Sequence, residues 1–245
     1  MNEVNMIKNK FFKINLFVTA IGFITMVLLA SSCTKVDNTY RDYENTAGNF
    51  KGNAIQYLQS QPGVYDSLLS VLNRLPRIAD SVADNEITLF AVSNRSFNVA
   101  LQNINQARHD SIPAMPAVSL ADIDSAILDR FICRYVLQGK HVSNDISGFA
   151  DGLLFQTIHY INQNGSDTSY SMHMQYTSTN ASGYVGGGPK SIIYSDTKGS
   201  IFYRNWIRVN TITINITTNN AIVHLLPPGH DFGFGDEFVR AVNYR

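Results

Sequence analysis

Ile87-Thr88-Leu89-Phe90-Ala91-Val92-Ser93-Asn94-Arg95-Ser96-Phe97 decides how the chain is read. Residues 87–92 are apolar or β-branched without a break, the composition of a strand buried on both faces. Ser93 or Asn94 then offers a short side-chain oxygen to the unpaired amides of a helix start, and the pattern predicts a helix to about Asn105. Phe90 and Phe97 bring two rings to one core, and Asn94 is expected to close the turn by bonding its own backbone.

Upstream, Asn53-Ala54-Ile55-Gln56-Tyr57-Leu58 caps and begins a helix, and Gln61-Pro62-Gly63 breaks it. Val64, Leu68, Leu69, Val71 and Leu72 form the apolar face of a second helix, and after Pro76 a third runs from Ile78 to Ala83. Downstream, Pro113 and Pro116 mark a loop. Ser119 or Asp122 caps a helix carrying Ile123, Ile127, Phe131 and Ile132, which ends before a turn at Gly139. From Gly152 the texture becomes that of strands. They are expected over Leu153–Tyr160, Ser169–Met174, Ser191–Tyr194, Ile201–Tyr203, Val209–Ile216 and Ala221–Leu226, with a turn at Asn164-Gly165 and an exposed loop over Thr177–Pro189. Helices in the first half and sheet in the second give an α+β fold.

The N-terminus supplies an address. Lys8, Lys10 and Lys13 precede an apolar run from Leu16 to Ala30, too short for a bilayer span, and Ala30-Ser31-Ser32 leads to Cys33. Leu28-Leu29-Ala30-Ser31-Ser32-Cys33 resembles a bacterial lipoprotein box, although Ala30 stands where the box usually has a bulky aliphatic. The resemblance implies cleavage of a signal peptide, 1–32, and acylation of Cys33; an ordinary secretory signal cleaved near Ala30 is the alternative. Polar residues 33–52 are expected to form a flexible tether. Cys33-Thr34-Lys35-Val36-Asp37 resembles the Lys-acidic signals that send Bacteroidetes lipoproteins to the cell surface. Asp-Ser before an apolar residue, as in Asp66-Ser67-Leu68 and Asp80-Ser81-Val82, resembles the O-glycosylation sequon of exported Bacteroidetes proteins, with helix starts and turns as the alternative.

Without residues 1–32 the chain carries 16 Lys and Arg against 18 Asp and Glu, a formal charge of −2, which argues against nucleic acid as a partner. With Cys33 lipidated, Cys133 has no disulfide partner, and its helical apolar context makes it a buried hydrophobe.

Two segments resemble the signatures of fasciclin-like domains. The first is Ile87–Phe97, where a strand ending in Phe-Ala runs into Asn-x-x-Phe. The second is Asn220-Ala221-Ile222-Val223-His224-Leu225-Leu226-Pro227. The resemblance implies a fasciclin-like domain over 53–228 with an extended 161–208 segment, helices packed on a mostly antiparallel sheet or sandwich, and a C-terminal tail, 229–245. It assigns fold-holding roles to Phe90, Asn94, Phe97, Asn220 and His224. Arg134-Tyr135-Val136 stands where many members have Tyr-His-Val, the element linked to integrin adhesion in animal members, so that role is not carried over.

No chemistry-bearing constellation emerges. The six histidines lack metal-ligand spacing, no Gly-x-Ser-x-Gly elbow occurs, and Asp231-Phe232-Gly233 lacks the other parts of a kinase. His159 and His173 are the one pair that a hairpin could bring face to face. No enzyme activity, cofactor or metal is expected. Tyr170, Tyr176, Tyr184, Tyr203 and Trp206 offer flat apolar faces to a partner. The resulting expectation is a lipoprotein anchored by Cys33 in the outer membrane, on the cell surface, that binds a protein or glycan of the envelope for adhesion. A glycan-binding accessory lipoprotein of a polysaccharide-uptake system is the alternative.

Overall fold

The computed structural model describes residues 48–161, 164–181, 183 and 185–244. The expected signal peptide, Cys33, most of the expected tether and Tyr184 lie outside the described residues. Three short helices come first: α1 (Ala54–Gln59), α2 (Asp66–Arg74) and α3 (Pro76–Asp84). Asn53 and Gln56 close a capping box on α1, and Pro76 starts α3 where a missing amide costs nothing. β1 (Ile87–Ala91) is buried over its whole length and leads through Ser93 into α4 (Asn94–His109), which buries Phe97, Ala100 and Ile104 at helical spacing and runs a turn past Asn105. α5 (Ser125–Ile132), β2 (Val136–Gln138) and α6 (Ser143–Ile146) fill the middle. The rest is β3 (Leu153–Gln156), β4 (Tyr160–Ile161), β5 (Asp167–Thr168), β6 (Ser171–Ser178), β7 (Lys190–Asp196), β8 (Ile207–Asn210), β9 (Thr213–Thr217), β10 (Ala221–Leu225) and the closing helix α7 (Asp236–Asn243).

The strands form two four-stranded sheets and a small β4–β5 ribbon. One sheet has the order β2-β1-β10-β9, with β1 parallel to β10 and the outer pairings antiparallel. The parallel register sets Phe90 beside His224, so the two signature segments are hydrogen-bonded neighbours. The other sheet, β3-β6-β7-β8, is antiparallel throughout. Phe90 on the first sheet stacks on Tyr194 of the second, centroids 3.5 Å apart and planes 8° from parallel, which places the core between the sheets. The chain is therefore α+β, with helices mainly in the first half and a two-sheet sandwich drawn mainly from the second.

Several expected elements differ. Val209–Ile216 is not one strand: it breaks at Thr211, where the chain passes from one sheet to the other. Thr211 N–H donates to Ile192 O and Ile212 N–H to Leu225 O, at 2.9 Å each, and this leaves Ile212 exposed. Ile201–Tyr203 is not a strand but part of the β7–β8 connection. Nor do residues 229–244 hang free as a tail, because Phe232, Phe234 and Phe238 are buried. Phe232 stacks on Phe97 at 4.3 Å, and the positive φ of 84° at Gly233 lets its backbone lie against the Phe238 ring, where a Cβ would come within 2.5 Å of Phe238 Cβ.

The signature polar residues hold distant elements together. Asn94 does not close its own turn. Its Oδ1 accepts from Ser67 N–H at 2.7 Å, and its Nδ2 donates to Gly63 O and Asp66 Oδ2 at 3.0 Å, so it secures the start of α2. Asn220 Nδ2 donates to Val82 O and Asn85 O, both at 2.9 Å, and its Oδ1 accepts from Ala54 N–H at 3.0 Å, tying α1 and the end of α3 to β10. His224 is fully buried. Its Nδ1 accepts from Asn215 N–H at 3.2 Å, at a bulge where Asn215 has φ 61°, and its Nε2 faces His141 O at 3.2 Å. Burial holds its pKa down at about 4.

Candidate functional site

Between β7 and β8 the chain makes a projecting knob, residues 197–206, held together by hydrogen bonds from within. Asp196 Oδ1 accepts from Lys198 N–H at 2.9 Å, and Lys198 and Gly199 turn the chain with φ of 51° and 65°. Ser200 is the hub. Its N–H donates to Thr197 O at 2.9 Å, its Oγ accepts from Phe202 N–H at 3.1 Å and Asn205 Nδ2 at 3.0 Å, and its carbonyl accepts from Trp206 Nε1 at 2.7 Å. A single 3-10 turn, Tyr203–Asn205, closes the knob. With these polar groups turned inward, the apolar side chains face water: Ile201 is 84% exposed and Phe202 57%, with Tyr203 and Ile207 also exposed.

The base of the knob rests on the outer face of the β3-β6-β7-β8 sheet. Register aligns Leu154, His173, Ser195 and Arg208 across that face, while Met172, Met174 and Tyr194 point into the core. The Trp206 ring lies 4.7 Å from His173 and 4.4 Å from Tyr203, and the Arg208 guanidinium approaches the Tyr203 ring at 5.3 Å and the Trp206 ring at 5.8 Å. Arg204 sits 5.6 Å from the Phe202 ring. Burial depresses the pKa of His173, and its Nε2 lies 2.7 Å from Asp151 O, where an Nε2–H donates to the carbonyl. Among the described residues its Nδ1 and the Ser195 Oγ have no hydrogen-bond partner, and both residues are buried. Gly152, at φ 72°, makes the close approach possible, since a Cβ there would fall 2.3 Å from Met174 O and 2.7 Å from His173 Nε2.

Of the five aromatic residues picked out in the sequence, only Tyr203 and Trp206 come together here. Tyr170 turns inward and donates its hydroxyl proton to Asp196 at 2.8 Å, while Tyr176 is half-buried against the core. Tyr184 lies outside the described residues. Ile201, Phe202, Ile207 and the basic residues Lys198, Arg204 and Arg208 complete the knob. Their signal in the sequence is an apolar run broken by arginines and set directly after Gly199-Ser200. His159 and His173 do not meet: His159 pairs with Asp167 at 2.9 Å on the ribbon. Among the described residues no group of three or more His, Cys, Asp or Glu could hold a metal ion, and no helix is long and apolar enough to cross a membrane.

No protein-family model matches the chain, and no curated protein does. Among solved structures, the chain is similar to one described as a FAS1 domain pair from the insect cell adhesion molecule fasciclin I. Identity is 15% and the TM-score 0.38, over 74% of this chain and 46% of that one, so the chain spans less than half the length of the structure it matches.

Proposed function

We propose that this chain is a non-catalytic, adhesion-type binding module held on the cell envelope by a lipid on Cys33, and that its contact site is the 197–206 knob. The observation that carries this reading is the knob itself. Large apolar side chains stay in water while the amides of Ser200, Phe202, Asn205 and Trp206 are satisfied internally, so the exposure is built in rather than left over from loose packing. The Phe-Ala to Asn-x-x-Phe segment and the Asn220–Pro227 segment, side by side in one sheet, support the fasciclin-like part of the proposal. The residues expected in the tether allow the module to reach a partner away from its anchor. A glycan-binding accessory lipoprotein is the second proposal, favoured by the Tyr203–Trp206 ring pair.

The test is retention of the purified full chain on envelope preparations, comparing the parent with an Ile201→Ser/Phe202→Ser variant and with Cys33→Ala. Knob-dependent retention is expected both with and without the Cys33→Ala substitution, and incorporation of labelled fatty acid only without it. Retention indifferent to the knob variant overturns the partner assignment, and a parent chain without lipid overturns the anchor. Retention on immobilised polysaccharide that is lost with Trp206→Ala would favour the glycan alternative. Turnover of an envelope polymer that one point substitution abolishes would overturn the non-catalytic assignment.

A further inference from the structure

We infer that the partner of the knob is an anionic lipid surface, a conclusion that rests on the proposed role of the knob as the contact site. Three observations converge on lipid. First, the tip is aliphatic as well as aromatic: Ile201 is its most exposed large residue, followed by Phe202, and neither offers the polar rim that positions a sugar ring. Second, the aromatic residues with a polar handle, Tyr203 and Trp206, sit behind that tip. Trp206 keeps its indole N–H on Ser200 O, the arrangement of a side chain that lies at a water–hydrocarbon boundary with the apolar tip ahead of it.

Third, two arginines stand at the tip, Arg204 beside the Phe202 ring and Arg208 beside the Tyr203 ring. Lys198, Arg204 and Arg208 are the only ionised side chains in the run from Thr197 to Gly229, which contains no aspartate or glutamate. Asp196 is paired with Arg134, and Lys198 turns toward the closing helix, donating to Phe234 O and facing Asp231 and Glu237, so Arg204 and Arg208 are the cations left to the tip. Asp151, whose carbonyl lies against His173, is a further acidic residue beside the same face. The internal hydrogen bonds of the knob fix this display before contact, so little ordering cost falls on association. Apolar burial and attraction of cations to anionic headgroups then act together, as they do in interfacial amphipathic segments.

Trp206 is the single tryptophan of the chain, so its emission reports on the knob alone, whatever the N-terminus does. The test mixes the full Cys33→Ala chain with vesicles of phosphatidylcholine, with or without phosphatidylglycerol, and with brominated acyl chains as quencher. A blue shift and bromine quenching are expected with the anionic vesicles, and weakening of both as salt rises. Arg204→Gln and Arg208→Gln should each weaken binding about fivefold, the effect of one cation at an anionic surface. Ile201→Ser/Phe202→Ser should abolish the shift while leaving the circular dichroism spectrum unchanged, because both side chains already face water. Trp206 emission unmoved by excess anionic lipid, with retention on envelope still dependent on the knob, would overturn the lipid assignment and leave the binding module standing. A shift produced by soluble polysaccharide or by an envelope protein, and not by vesicles, would do the same. If neither vesicles nor envelope engage the knob, the lipid assignment and the proposed contact site fall together.

Discussion

Arg134 Nη1 lies 2.6 Å from an Asp196 carboxylate oxygen, with both side chains closed off from water. Arg134 Nη2 reaches Glu237 at 2.8 Å on α7, Tyr170 donates to the second Asp196 oxygen, and the guanidinium lies 4.5 Å from the rings of both Phe131 and Tyr170. One arginine thus joins the end of α5, the edge of the knob and the closing helix through two ion pairs.

Removing Arg134 leaves the Asp196 carboxylate buried without a cation, and removing the Asp196 charge leaves the buried guanidinium with Glu237 alone. Arg134→Ala or Asp196→Asn is expected to lower stability by about 3–5 kcal/mol, seen as a lower denaturation midpoint in urea. Losses in the Arg134→Ala/Asp196→Asn double variant should fall well short of the sum of the single losses. Simple additivity would contradict the pairing.

His224 and His230 are buried, and burial depresses both pKa values to about 4 from 6.5. Each is neutral in the fold and gains a proton more readily when unfolded, so its contribution is complete above pH 6.5 and is lost as pH falls from 6.5 toward 4. The loss is on the order of 3 kcal/mol per histidine over that window. Tyr135 presents its hydroxyl proton to His230 Nε2 at 2.7 Å, a contact that a glutamine oxygen can replace. His230→Gln is therefore expected to reduce the pH slope of stability between pH 6.5 and 4.5, measured by urea titration at several pH values; an unchanged slope would refute it.

Asn220→Ala removes the acceptor for Ala54 N–H and the donor to two carbonyls. About 2–3 kcal/mol of destabilisation is expected, since a buried group left unpaired costs its full desolvation. Asn94→Ala, which frees the first turn of α2, should cost about 1–2 kcal/mol, as the loss of a helix cap does. Hydrogen exchange should locate the second effect at residues 66–69; exchange unchanged there would show that α2 does not depend on Asn94.

Burial raises the Cys133 thiol far above its ordinary value, and its Sγ faces His159 O at 3.5 Å. In a Cys33→Ala chain, iodoacetamide at pH 8 is expected to leave Cys133 unlabelled in the native state and to label it in denaturant. Rapid native labelling would mean that the α5–β2 junction opens.

The 87–97 stretch was legible because its information is local: an uninterrupted apolar run specifies a doubly buried strand, and short polar residues end it. The sheet switch was not. Ile212, Ile214 and Ile216 alternate with threonines and asparagine whether they line one strand or straddle two, and only Thr211 bonding back to Ile192 breaks the pattern. Ile201-Phe202-Tyr203 reads equally as a buried strand or an exposed tip; the hydrogen bonds to Ser200 that distinguish them involve side chains with no strong local preference. Arg134 carries no mark that its partner lies far along the chain at Asp196. Asn94 advertises a turn residue, yet finds its bonds near residue 65, because tertiary neighbours compete with the local backbone for the same amide.

The parallel pairing of β1 with β10 also has a temporal side. β1 contributes a central strand of its sheet, but its neighbour β10 is synthesised only after every strand of the other sheet. Until residues 221–225 exist, one edge of β1 has no partner, and an apolar strand in that state invites pairing with the wrong chain. The β3-β6-β7-β8 sheet faces no such wait, since its strands follow one another closely. The nascent chain should therefore acquire the sheet that carries the knob first and remain sticky along Ile87–Ala91 until residues 221–225 arrive.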